Sequence, residues 1–180
     1  MASTQGKLLI ASPRLADPNF AHTVVLMIQH SEQGALGLVL NRPLQTTVRE
    51  ACQASLSDPC EVEDFLHQGG PCQGPLMVLH GNELSKDSDV LPGIYFTTER
   101  GKIESLLRHP SSHARYFVGY SGWGPGQLEA EMEVESWLIV PAESSLVFES
   151  KSNVWSKLMA LRMMDGQVDI SSIPDDPSMN

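Results

Sequence analysis

Two apolar-rich runs, His22–His30 with Val24–Ile28 at its heart and Ala35–Leu40, flank the short turn Ser31-Glu32-Gln33-Gly34, and neither alternates apolar with polar residues. Apolar runs of strand length joined by a Gly-bearing turn read as a β-hairpin. Successive side chains of a strand point to opposite faces, so an unbroken apolar run implies that both faces are covered. The hairpin is therefore expected inside the molecule. Asn41-Arg42-Pro43 follows the second run. Proline lacks the amide that a ladder needs, so the strand is expected to stop there.

Further strands are predicted at 7–11, 76–80, 93–98, 114–119 and 137–140, each rich in β-branched, aromatic or long aliphatic residues. Helices are predicted at 47–56, where Val48, Cys52 and Leu56 share a face, and at 99–108, where Ile103, Leu106 and Leu107 do. Thr98 is the expected N-cap of the latter. Shorter helices are predicted at 127–134 and 144–149, and a last one at 154–164 with Trp155, Leu158, Met159 and Arg162 at helical spacing. Strands come first, then short helices and strands interleave without strict βαβ alternation. That order predicts an α+β domain with a largely antiparallel, partly wrapped sheet rather than a doubly wound one. With 180 residues and no repeat or linker, residues 1–180 are read as one domain. Its core is placed at about 7–164, followed by a loose acidic tail at 165–180.

Charge narrows the partners. Twelve basic against 22 acidic residues give −10, which opposes attraction to nucleic acid or to an anionic membrane. No apolar stretch approaches the roughly 20 residues of a membrane-spanning helix. The apolar run 8–11 is too short for the core of a secretory leader. Cys52, Cys60 and Cys72 are odd in number and share no CxxC spacing, which suits reduced thiols. A cytoplasmic protein is expected.

The stretch Gly119-Tyr-Ser-Gly-Trp-Gly-Pro-Gly126 carries four glycines in eight residues, a density that few loops tolerate without a reason. It has no Lys or Arg, and Glu129, Glu131, Glu133 and Glu135 follow it, so it is not a phosphate cradle. Ser121 invites comparison with the G-x-S-x-G elbow, but position 123 is Trp and no His follows residue 113. His109 and His113 are four apart, yet Pro110 pushes His109 out of helical geometry, and no metal or other cofactor is expected. Cys72 and His80 lack a third orienting group. Arg42, beside the Asn41 amide and ahead of Pro43, could close a pocket or pair with an acid at a structural corner. Trp123, set between glycines, is expected either to plug a groove or to stay available to a partner.

Several of these strings occur together in one known family. Leu8-Leu-Ile-Ala-Ser-Pro13, Asp17-Pro-Asn-Phe20, His30-Ser31, Gly37-Leu-Val-Leu-Asn-Arg-Pro43, Gly69-Gly70-Pro71, Val78-Leu79-His80 and Gly119-Tyr-Ser-Gly-Trp-Gly-Pro-Gly-Gln-Leu-Glu129 resemble the bacterial YqgE/AlgH family over about residues 7–162. Ser121 stands where the family often has a small residue. Cys72 stands where a Val or similar residue commonly follows Gly-Gly-Pro, which weakens a thiol mechanism. The resemblance implies a bifurcated sheet folded into a pseudo-barrel with short flanking helices. It brings no established enzymatic activity. It does bring an association with control of alginate synthesis and a transcriptional-regulator label.

The expectation is a non-enzymatic binding or regulatory domain acting through a protein partner or small ligand. Its contact surface is placed at Asn41, Arg42, Gly69, Gly70, Ser121, Gly122, Trp123, Gly124 and Gln127. One alternative is an enzyme of unknown class with a pocket around Ser121, Arg42 and His80. Such groups would have to converge within hydrogen-bond reach. The other is a DNA-binding regulator, which the net charge and the lack of a recognisable helix-turn-helix oppose.

Overall fold

The computed structural model describes residues 3–55, 60, 62–111, 113–149 and 151–164. The expected tail at 165–180 lies outside the described residues. In chain order the elements are β1 (Lys7–Ala11), β2 (Val24–Ser31), β3 (Gly34–Val39), β4 (Pro43–Thr47), α1 (Val48–Ser55), β5 (Phe65–Gln68), β6 (Met77–His80), a 3-10 turn at Glu83–Ser85, β7 (Ser88–Leu91) and β8 (Ile94–Thr97). Then follow α2 (Arg100–Arg108), β9 (Ala114–Val118), β10 (Ser121–Trp123), α3 (Gln127–Glu133), β11 (Trp137–Pro141), α4 (Ser144–Glu149) and α5 (Val154–Met164).

The strands form two sheets, ordered β10-β3-β2-β1-β11 and β4-β5-β9-β6-β8-β7. All pairs are antiparallel except β5 with β9. The α+β class and the divided, largely antiparallel sheet match the expectation. Both sheets keep two edge strands, so there is no closed barrel. The chain changes sheet between β3 and β4 and again between β9 and β10.

The hairpin β2–β3 is central to the five-stranded sheet, and Val24 to Ile28 are fully buried, as their unbroken apolar run requires. The six-stranded sheet is two-faced, and its side-chain parity shows how. Met77, Leu79 and Phe117 pack toward the five-stranded sheet in the larger core. Val78, Ala114, Tyr116 and Leu66 point the other way, into a smaller core closed by Val48 and Cys52 of α1 and by Ile103, Leu106 and Leu107 of α2. The period of two along β6 and β9 thus divides one sheet between two hydrophobic layers.

β3 ends at Val39, ahead of Asn41-Arg42-Pro43 as expected, and Pro43 opens a new strand, β4, at a sheet edge, where a missing amide leaves no gap in the ladder. Two local expectations are corrected. The glycine-rich stretch is not all loop, because Ser121–Trp123 pairs with Ala35–Gly37 as β10. Thr98 does not cap α2. The Asp87 carboxylate, from the segment before β7, accepts from the Thr98 and Glu99 amides at 2.7 and 3.1 Å and from Lys102 Nζ at 2.6 Å. Burial raises the Asp87 pKa, but the Lys102 ammonium and these amides outweigh it and hold the carboxyl well below its usual range. α1 begins with a reciprocal cap. The Thr47 amide donates to Glu50 Oε2 at 2.8 Å, and the Glu50 amide donates to Thr47 Oγ1 at 3.2 Å.

Candidate functional site

The two sheet changes lie side by side, and the conspicuous glycines build that junction. The Val39 amide donates to the Gly69 carbonyl at 2.9 Å, and the Gly69 amide donates to the Val118 carbonyl at 3.0 Å. Ser121 Oγ also donates to the Gly69 carbonyl, at 3.0 Å, and is fully buried. A Cβ at Gly69 would overlap the Gly119 carbonyl oxygen, and one at Gly70 would overlap the Tyr120–Ser121 peptide. Gly119, at φ +72°, also needs the left-handed conformation.

Asn41 and Arg42 fix the neighbouring corner. Asn41 Oδ1 accepts from the Val24 amide at 2.9 Å, and Nδ2 donates to the His22 carbonyl at 2.8 Å. The Arg42 guanidinium donates to the carbonyls of Asn19 at 2.6 Å, Pro18 at 3.1 Å and Ala21 at 3.5 Å. The partners of Arg42 are thus loop carbonyls rather than the acid of a corner ion pair. Burial lowers its pKa, with Asp17 opposing.

Trp123 plugs rather than protrudes. It is 5% exposed and stacks on Phe20, with edge contact to Trp137. Its indole N–H donates to Glu131 Oε2 at 2.9 Å, and the Trp137 indole donates to the same oxygen at 2.8 Å. Gln127 is exposed; its Oε1 accepts from the Gly124 amide and its Nε2 donates to Glu131. Gly122 and Gly124 are exposed beside it.

The structure does not bring Ser121, Arg42 and His80 together. Ser121 faces Gly69 in the five-stranded sheet, Arg42 holds the 18–21 loop, and His80 ends β6 with its Nδ1 accepting from the Asn82 amide. Ser121 and Arg42 are thus engaged by backbone carbonyls, and His80 by the Asn82 amide through Nδ1. His109 ends α2 and His113 precedes β9, so they share no helix. Cys52, Cys60 and Cys72 are free thiols. Among the described residues, no group of three or more His, Cys, Asp or Glu is placed to hold a metal. No helix among them is long and apolar enough to cross a membrane.

A buried cation lies behind the junction. Arg115 on β9 donates to the carbonyls of Leu40 at 2.7 Å and Val147 at 2.8 Å, and approaches His67 Nε2 at 2.6 Å. Guanidinium only donates, so Nε2 accepts and the His67 proton sits on Nδ1. Burial and then the Arg115 charge push the His67 pKa down to about 4. Burial lowers Arg115 to about 10, with Asp64 opposing, so it stays cationic at neutral pH.

Open space lies on the outer face of the six-stranded sheet. A cleft of about 390 Å³ separates α1 and α2 above that sheet. Val48, Ala51 and Cys52 of α1 form one wall and Ile103 of α2 the other, over Leu66, Leu76 and Val118. At the rim stand Thr98 and the Arg100–Glu104 ion pair, 2.8 Å apart. A shallower hollow of about 580 Å³ adjoins it across Val118, shaped by Gly70, Pro71, Cys72, Gly74 and Gly119. Of the residues proposed from sequence, only Gly70 reaches this space. The sequence marked Val48, Cys52 and Ile103 as an apolar helix face but gave no sign that the face stands away from the sheet at one end.

The sequence model of a family described as AlgH-like matches residues 8–167. A UPF0301 protein from Chlorobium chlorochromatii is 38% identical over 185 residues, covering 98% of this chain and 95% of that protein. A UPF0301 protein from Myxococcus xanthus is 37% identical over 153 residues, covering 82% and 84%. The solution structure of the AlgH protein from Pseudomonas aeruginosa superposes with a TM-score of 0.74 at 31% identity, covering 94% of this chain and 98% of that one. A crystal structure of a Corynebacterium diphtheriae protein shares the fold, with a TM-score of 0.71 at 24% identity over 89% and 88% of the two chains.

Proposed function

This chain belongs to the AlgH-like family, and from that premise we propose that it is a cytoplasmic, non-enzymatic binding domain that takes a small apolar ligand in the cleft between α1, α2 and the six-stranded sheet. The observation that carries this reading is the cleft itself: an apolar-walled space of ligand size with one ion pair at its rim. In this reading Asn41, Arg42, Ser121 and Trp123 hold the sheets in register. Gly69 ties the sheet junction, Gly70 shapes the hollow that adjoins the cleft, and Gly122, Gly124 and Gln127 offer an exposed edge to a protein partner. A regulatory role would run through ligand or partner, because a −10 chain is repelled by a nucleic-acid duplex.

The test is a 13C-methyl NMR titration of the full chain with a panel of small apolar molecules. Saturable shifts at Val48, Leu66, Ile103 and Val118, lost when Ala51→Phe fills the cleft, are the expected result. No saturable shift at those methyls, up to the solubility of every compound, rejects the cleft as a binding site.

A further inference from the structure

The chemistry of the ligand can be read from a residue just behind the cleft, provided the cleft is the binding site. Tyr116 stands on β9 two residues before Val118, so the two side chains leave the same face of the sheet. Val118 lies under the cleft, and Tyr116 occupies the next row along that face. Tyr116 is 1% exposed, and its hydroxyl has no hydrogen-bond partner among the described residues. The groups that act on it electrostatically are Asp64, Cys60 and Cys52, and Cys52 lines the cleft.

The backbone explains that grouping. The Val48 amide donates to the Asp64 carbonyl at 2.9 Å, and the Arg49 amide donates to the Val62 carbonyl at 3.0 Å. These bonds run the returning chain antiparallel to the start of α1, which brings Cys60 alongside Cys52. The Tyr116 phenol is therefore buried in the smaller core with Val48, Cys52 and Leu66, which line the cleft in front of it. A buried hydroxyl without a partner is costly to keep, and an acceptor brought by a ligand would complete it.

We propose that the cleft binds an uncharged amphiphile, its apolar body against Val48, Leu66, Ile103 and Val118 and its single hydrogen-bonding head on the Tyr116 hydroxyl. The walls argue against a charged head. The Arg100 guanidinium at the rim already has Glu104, and Asp64 adds negative charge on the Tyr116 side. Burial keeps the Tyr116 phenol and the Cys52 thiol in their neutral forms. A carboxylate would shed its hydration there and meet, among the described lining residues, only the already paired Arg100.

The full chain is titrated at pH 7.5 with octan-1-ol and with octanoate, following the same four methyls. Octan-1-ol is expected to bind at least tenfold more tightly than octanoate. Tyr116→Phe, which removes an unsatisfied hydroxyl, should fold with an unchanged or higher Tm and bind octan-1-ol three- to tenfold more weakly. Equal affinity for the two compounds, or undiminished octan-1-ol affinity in Tyr116→Phe, overturns the head-group assignment while leaving the cleft standing. Silence from both compounds overturns it together with the cleft. The alcohol-to-carboxylate ratio in the unmodified protein decides the matter even if the variant fails to fold.

Discussion

Gly69 and Gly119 lie back to back where the two sheets meet, with the Gly69 amide bonded to the carbonyl of the residue before Gly119. Neither position has room for a side chain: a Cβ on Gly119 would stand 2.8 Å from the Gly70 carbonyl oxygen and 2.9 Å from that of Cys72. Backbone, not a flexible side chain, blocks the space. Gly69→Ala should therefore cost about 1–3 kcal/mol, seen as a lower urea midpoint with an unchanged slope. Gly124→Ala is the control. Its nearest neighbour would be Gln127 Oε1 at 3.9 Å, and it should be neutral or up to about 1 kcal/mol stabilising.

Arg42 holds a loop through three carbonyls that a lysine cannot span. Arg42→Lys should loosen the turn in which the Phe20 and Ala21 amides bond to Asp17. Exchange of those two amides should speed up roughly tenfold in hydrogen–deuterium exchange, with β6 and β9 unaffected. Uniform acceleration across the chain would mean that Arg42 supports global stability instead.

Glu131 is the shared acceptor of two indoles. Glu131→Ala leaves two partly buried N–H groups unpaired, and should cost about 2–4 kcal/mol and shift tryptophan emission to the red. Glu131→Gln keeps an oxygen in the same place and should recover most of the loss. If Glu131→Ala melts with the unmodified protein, the shared bond is not stabilising.

His67 gives stability a defined pH dependence. Its folded pKa of about 4 lies below the ordinary 6.5, so the unfolded chain takes up the proton first. Its contribution is fully present above about pH 6.5, fades as the pH falls toward 4, and changes no further below. The ring is partly open to solvent, so the loss is expected at about 1–2 kcal/mol. His67→Gln keeps an acceptor for Arg115 and should flatten denaturation midpoints between pH 6.5 and 4. Part of the slope should remain, because burial also lowers His80. Below pH 4 Asp87 takes over, its stabilisation vanishing as its depressed carboxyl gains a proton.

The parts of this fold that could be read from sequence are those where one segment's pattern decides its own structure. The unbroken apolar hairpin announced a strand pair buried on both faces, and Ile103, Leu106 and Leu107 announced a helix that packs on one side. The parts that could not be read depend on residues distant in sequence. Nothing near Thr98 says that Asp87 will cap the helix. Nothing near Trp123 says that Glu131 and Phe20 will take it into the interior. Glycine density marked residues 119–126 as special, but density alone does not separate a surface that receives a ligand from a seam that admits another backbone. Gly69 and Gly70 settle it locally, since the atoms they make room for belong to residues 119–121.

The seam also sets how this chain must find its shape. Ser121 meets Gly69 across 52 residues, and Arg115 meets Leu40 across 75. Such closures are entropically late events, and chains dominated by distant pairings assemble slowly. The hairpin can form early from its own neighbours, but the two halves cannot lock until three remote segments arrive together. Refolding should therefore wait on residues 39, 69 and 119, and damage at the seam should delay folding more than damage to either sheet.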